Sequence, residues 1–349
     1  MSVDLSVVEG DYFHDLLSQP DSLSDTIGQL TESKELQTLA SRLQKRKFKS
    51  IVLTGMGSSF HALNPLLLQL TNAGHPAILV ETAELIYYRR RLLTPDTLLV
   101  AVSQSGRSVE MIRLLNENRR QAPIIAVTNT AASPLGRRSS AMVLTRAGEE
   151  FSVSCKTYIC ALLALKFLGD QLCGVHPART RKQFRAILRP VTHYLARWKE
   201  HVEFMVPRLN GVRQLFLVGR GASLASVGTG ALILKESTQF PAEGLSSAAF
   251  RHGPFEIVGP ETFVLVFAGD AKTKQLNKKL FEDVRANHGR AEMVALNAGE
   301  CAYCLPTVPT SLLPVMEILP VEMLTLALAA IKGREPGKFR LASKITTTE

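Results

Sequence analysis

Ser103-Gln-Ser-Gly-Arg-Ser108 brings three hydroxyls, a side-chain amide and a glycine to the end of an apolar run, Leu98–Val102. Small donors after a buried strand suit an anion. Backbone N–H groups approach it closely, and the helix that follows adds its positive end. Phosphate is the natural candidate. The same residues also read as a turn capping a helix over 109–117, with Ser108 as the cap. A second loop of this kind, Gly55-Met-Gly57-Ser58-Ser59, follows the run Ile51–Thr54. On one sheet edge the two loops would converge on a single anion. Neither loop is GxGxxG or GxxxxGK[ST], and no acid is placed for a ribose. Nicotinamide dinucleotides and Walker-type nucleotide sites are therefore disfavoured.

Other chemistry lies further along the chain. Lys235 and Glu236 sit near the end of an otherwise apolar helical stretch, Ala225–Gln239. A carboxyl buried there beside a substrate has its pKa raised by desolvation and suits a general base. A solvated last helical turn is the alternative. His252 lies in Arg251-His252-Gly253-Pro254, a loop that fixes an imidazole able to shuttle protons near neutrality. A structural loop histidine is the plainer reading.

The elements that carry these residues repeat. Lys49–Ser59 and Arg213–Ser223 each read as a strand, then Gly-x-Gly-[Ser/Ala]-Ser, then a helical pattern, 164 residues apart. The same offset carries Leu98–Val102 onto Thr262–Val266, and third strands follow at Ile124–Val127 and Glu292–Leu296. Strands alternating with helices predict parallel sheets covered on both faces. At the position of Ser103–Ser108 the second copy has Phe267-Ala-Gly-Asp270, without the hydroxyls. One anion site is expected, not two. A length of 349 residues fits two domains at about 150 residues each. The expected division is a helical lead-in over 1–45, a first α/β unit over 46–175 and a second over 176–349. Trp198, in the second lead-in, reads as packing.

Composition narrows the class. Apolar residues at 46% and charged residues at 21% describe a globular chain. The longest apolar patches, near Cys160–Leu168 and Leu319–Ile331, read as too short and too charged to span a membrane. The acidic N-terminus lacks the pattern of a secretory signal, so a cytoplasmic protein without a membrane partner is expected. Five cysteines, one pair as a lone Cys301-Ala-Tyr-Cys304, read as reduced thiols; no metal site is expected. The formal net charge is +10. It occurs in short clusters and without a nucleic-acid-binding motif. It reads as a basic surface around an anionic substrate, with no nucleic acid partner.

GMGSSF, SQSGRS, GAL-x-LKES and FRHGP, in this order and spacing, resemble the double sugar-isomerase (SIS) proteins. These include the isomerase half of glucosamine-6-phosphate synthase, sugar-phosphate deaminases of the alternative type and fructosamine-6-phosphate deglycases. The likeness runs from about Tyr12 to the last residue. It implies two tandem flavodoxin-like SIS subdomains, a homodimer, and no cofactor. It implies a phosphosugar held by Ser103, Gln104, Ser105 and Ser108 with Ser59 nearby, and by Gly57 and Ser58 on the same loop. Glu236 would move a proton between C1 and C2 of the open-chain sugar. His252, from the partner subunit, would help open the ring. The C-terminal tail would close over the site with Lys344, one position from the synthase lysine. Val153-Ser-Cys-Lys-Thr-Tyr158 is similar to the family's Val-x-Ser-Thr-Lys strip but one residue shorter, which carries over Val153 and Lys156. No glutaminase segment is expected before the likeness, so glutamine-dependent synthesis is not expected without a partner that supplies ammonia. Ile233 stands where the synthase has a lysine, and Ala249 where an acid is usual. A deaminase or deglycase is expected, an aldose–ketose isomerase next, and a non-catalytic phosphosugar-binding regulator as the alternative of another class.

Overall fold

The computed structural model describes residues 3–119, 121–296, 302–341, 343 and 344. Its strands are β1 (Ser50–Gly55), β2 (Ala77–Glu81), β3 (Thr97–Val102), β4 (Ile124–Thr128), β5 (Ala141–Leu144), β6 (Gln214–Gly219), β7 (Ala242–Ser246), β8 (Thr262–Phe267), β9 (Arg290–Leu296) and β10 (Cys304–Leu305). They form two sheets, ordered β2-β1-β3-β4-β5 and β10-β9-β8-β6-β7. All pairings are parallel. Read from the opposite end, the second order repeats the first, so the fold is two flavodoxin-like α/β halves, as the repeat predicts. The sheets have five strands each, not the three per half that the apolar runs reveal.

The chain divides into two compact units. The first-sheet unit comprises Asp21–Glu150, Lys156–Arg185 and the described residues beyond Leu341. The second-sheet unit comprises Phe151–Cys155, Ala186–Leu341 and the residues up to Pro20. In the first, β3 and β4 are buried along their whole length. Leu99, Ala101 and Ala126 pack with Leu85, Met111 and Leu114. In the second, Val218, Val264 and Val266 pack with Phe250, Leu280 and Val284. The N-terminal helix belongs there because Phe13 packs edge-on against Trp198 at 4.6 Å, and Gln19, which opens the next helix, donates its Nε2 to Glu322 Oε2 at 2.7 Å.

Two expectations are corrected. The helix Leu313–Ile331 is long and apolar enough to cross a membrane, although its apolar run reads shorter in the sequence. Every residue of its apolar window is buried within the second-sheet unit, where it serves as a core helix. Cys304 is in a disulfide rather than reduced, and Cys301 lies outside the described residues. Cys155, Cys160 and Cys173 are free thiols. Burial pushes the Cys160 thiol up to about 12.

Candidate functional site

β1 and β3 are neighbours whose connections leave in opposite directions, which makes the crevice beyond their C-terminal ends the switch point where such sheets bind ligands. Both expected loops emerge there. The helix Val109–Glu117 begins where the sequence predicts, because Ser108 Oγ accepts the N–H of Met111 at 3.4 Å. Ser103 Oγ accepts the N–H of Gly106 at 3.1 Å, and Ser105 Oγ that of Arg107 at 3.2 Å. A hydroxyl has one proton and two lone pairs. Each serine accepts from the backbone, and none of the three donates its own proton to a protein acceptor among the described residues. The capping turn is therefore compatible with the expected anion site: turn bonds orient three hydroxyls whose protons remain to be donated.

Glycines make this geometry accessible. Gly106 has φ +61°, and a Cβ there would lie 2.2 Å from Ser133 Oγ. Gly57 has φ +53°, opening the short helix Gly57–His61 that carries Ser58 and Ser59, both half-buried. The carbonyl of Gln104 accepts from the N–H of Asn129 at 3.1 Å and from Thr128 Oγ1 at 3.2 Å, which anchors the loop to the end of β4.

The matching edge of the second sheet is filled by its own chain. Ser223, 164 residues after Ser59, donates its hydroxyl to Glu317 Oε1 at 2.8 Å. Glu317 is 1% exposed, and its Oε2 has no partner. Burial pushes this carboxyl up to about 8, against the opposing pull of the Ser223 and Ser226 hydroxyls. The loop after β8 is tied down by Asn277 Nδ2, which donates to the carbonyls of Phe267 and Ala268 at 2.9 and 3.1 Å. The second copy has thus exchanged an open donor set for an internal acid.

Glu236 and His252 both lie in the second-sheet unit. The helix Leu224–Thr238 starts beyond the C-terminal end of β6 and runs back along the sheet, which puts the half-buried Glu236 at the strands' N-terminal edge. β7 then returns across the sheet and the short helix Ser247–Arg251 turns back along it, so that Arg251 Nη2 reaches Asp283 Oδ2 at 2.7 Å near the end of the helix leading into β9, and exposed His252 follows. Around Glu236 the chain is well tied. Ser237 O accepts from the N–H of Gly337 at 3.0 Å, and Gly337 O accepts from Ser152 Oγ at 2.6 Å. The strip Phe151–Cys155, with buried Val153, is thereby held against the residue that follows Glu236. Lys332 Nζ donates to Thr238 O at 3.1 Å, and burial lowers the pKa of this lysine.

Lys344 is in the first-sheet unit, where its Nζ lies 2.9 Å from Glu150 Oε2. Glu150 is buried and also accepts from Thr157 N at 3.0 Å and Thr157 Oγ1 at 2.7 Å. Lys156, buried at the start of the helix Lys156–Leu172, lies in the same unit. Sequence reading missed Glu150, whose only signal is an acid pair, Glu149-Glu150, just before an apolar strip. It also missed Arg146. This exposed arginine has φ +50° and lines an open cleft of about 540 Å³ with Ser24, Asp25, Gly28 and Asn129. Asn129 connects that cleft to the serine loop. Among the described residues no group of His, Cys, Asp and Glu is placed to hold a metal ion.

The family model described as the SIS domain matches residues 16–169 and 208–332. The glutamine–fructose-6-phosphate aminotransferase (isomerizing) of Pyrococcus horikoshii is 28% identical over 98% of this chain, which spans 59% of that relative's length. Among solved structures, the C-terminal domain of glucosamine-fructose-6-phosphate aminotransferase from Francisella tularensis superposes with a TM-score of 0.83 at 21% identity, covering 96% of this chain and 100% of that one. The glucosamine-6-phosphate deaminase of Thermotoga maritima superposes with a TM-score of 0.72 at 17% identity, covering 97% and 100%. With two matched segments on the two sheets, the chain belongs to the SIS domain family.

Proposed function

We propose that this chain is an enzyme acting on an aminosugar or ketose 6-phosphate by ring opening and proton transfer between C1 and C2. The observation that carries the reading is the serine loop: three hydroxyl donors, oriented by the backbone and beside a helix N-terminus, on one sheet and not on its copy. Such a set matches the oxygens of a phosphate dianion and fixes one end of an open-chain sugar. Glu236 takes the C2 proton, giving an enolamine or enediol, and returns it at C1. With an amino group on C2 the product is a ketimine. Water adds to it, and ammonia leaves with a ketose phosphate. With a hydroxyl on C2 the same transfer is an aldose–ketose isomerisation. Ile233 and Ala249 leave the surroundings of the base less charged than in the synthase pattern, which favours deamination or deglycation over building an amine.

By the family resemblance the site is completed by a second copy, whose His252 would assist ring opening. Lys344, close to Glu150, is the tail residue proposed to exchange that partner for substrate. The test is a panel of hexose 6-phosphates, aminosugar 6-phosphates and amino-acid conjugates, with ammonia and isomer release both measured. Glu236→Gln is expected to retain phosphate-dependent binding and lose turnover by 10²-fold or more. Unchanged turnover in that variant would refute the assignment of the base. Binding without any turnover in the unaltered chain would instead make it a phosphosugar sensor.

A further inference from the structure

The basic clusters that look scattered in the sequence are collected by the fold. In the first-sheet unit they occupy the loops that enter the strands, at the edge opposite the serine loop. Residues 45–49, Lys-Arg-Lys-Phe-Lys, lead into β1, and Arg89–Arg91 lead into β3. Arg119 precedes β4, and Arg137–Arg138 end the helix before β5. Those four strands are adjacent in the sheet, so the loops line up over three strand spacings, about 14 Å. All these cations are exposed. Among the described residues of these loops Asp96 is the one acid, paired with Lys49 at 2.7 Å. Glu117, at the end of the preceding helix, takes Arg90 at 2.7 Å.

The second sheet is an internal control. It has the same topology, yet the Lys and Arg described in its entering loops and helix ends are fewer and mostly paired: Arg208 with Glu292 at 3.0 Å, Arg213 with Glu261 at 3.0 Å and Arg251 with Asp283 at 2.7 Å. The basic edge is therefore not a property of the fold. Aromatic rings accompany it. The helix Thr82–Tyr88 ends at this edge with Tyr87 52% and Tyr88 80% exposed. Arg113 covers the Tyr87 ring at 5.4 Å, and Tyr88 tilts against Tyr87 at 6.4 Å with no cation stacked on it among the described residues.

We propose that this edge binds single-stranded nucleic acid. A phosphate track beside an open aromatic face is the pattern such strands select: cations meet the backbone, and a ring stacks a base. Most of the cations are arginine, which forks onto phosphate oxygens and also stacks. An acidic peptide would meet the charges but leave the tyrosines unused. The surface lies a strand's length, about 20 Å, from the serine loop, so the sugar phosphate does not account for it.

The test is fluorescence anisotropy of the full chain with a labelled oligouridylate of about 15 nucleotides, titrated at several salt concentrations. Binding is expected to weaken with a log–log slope of about −0.7 per phosphate engaged. Arg89→Glu with Arg91→Glu is expected to cost at least tenfold, and Tyr88→Ala about fivefold. Lys272→Glu with Lys274→Glu makes the same charge change on exposed residues of the second-sheet unit and is expected to leave affinity unchanged. Circular dichroism melting confirms that each variant folds. The proposal is overturned by absence of binding at low salt, or by equal loss in the two charge-reversal variants. It is also overturned if polyglutamate competes as well as RNA while Tyr88→Ala has no effect, or if only anionic lipid vesicles bind.

Discussion

Glu317→Gln should stabilise the second-sheet unit, by an amount that grows with pH. The carboxyl of Glu317 is pushed from its ordinary 4.5 to about 8 by burial. Its folded pKa is therefore above its unfolded one. Between these values the unfolded chain releases a proton that the folded chain keeps, so stability falls as pH rises through this window and levels off above 8. At pH 7 the cost is roughly 3 kcal/mol, and between pH 6.5 and 8 it grows by roughly 1.5 kcal/mol. Glutamine keeps the Oε1 acceptor for Ser223 and carries no charge to bury. With a urea slope of about 2 kcal/mol/M, the variant's midpoint should lie about 1.5 M above that of the unaltered chain at pH 7. Trp198 is the single tryptophan and lies in the same unit, so its fluorescence reports the transition. Measurements above pH 6.5 avoid His201, which burial lowers to about 4 and whose stability contribution is lost on acidification instead. If the variant shows the same decline between pH 6.5 and 8 as the unaltered chain, Glu317 is not the titrating group and the reasoning fails.

Two further substitutions probe the site unit. Gly106→Ala places a Cβ 2.2 Å from Ser133 Oγ at φ +61°, so thermal denaturation should show a loss of about 2 kcal/mol or more, together with weaker phosphate binding; a neutral result would mean the loop relaxes freely. Lys344→Met removes this cation from the buried Glu150, which keeps its Thr157 donors, and should cost about 1–2 kcal/mol, less than a fully buried pair because Lys344 is partly exposed. Glu150→Gln in the same chain should recover most of that loss in urea titration, and failure to recover it would show that the ion pair is not what holds Lys344.

The parts of the fold that could be read from the sequence were those with local causes. β3 and β8 are unbroken apolar runs because both faces are covered, and the helix over 109–117 announces its start through Ser108. β2 and β7 were not seen because edge strands are half-exposed: Ala-Ile-Leu-Val-Glu and Ala-Glu-Gly-Leu-Ser bury few residues. The serine loop was visible because its donors are contiguous in sequence. Glu150 and Glu317 were not, since a lone acid near an apolar stretch gives no sign of what the fold will place against it. The basic edge was invisible for the same reason: its segments become neighbours only when β1, β3, β4 and β5 line up.

Glu317 also bears on how the two halves respond to their surroundings. A covalently attached partner is present at fixed effective concentration, so the edge it fills is satisfied whatever the solution contains. The serine loop has no such resident. On the proposed reading, its unit gains RT ln(1 + [L]/Kd) from each sugar phosphate that occupies it. One ancestral plan thus yields a half whose stability follows metabolite supply and a half whose stability does not. Depletion of the ligand should then appear first as faster proteolysis of the first-sheet unit.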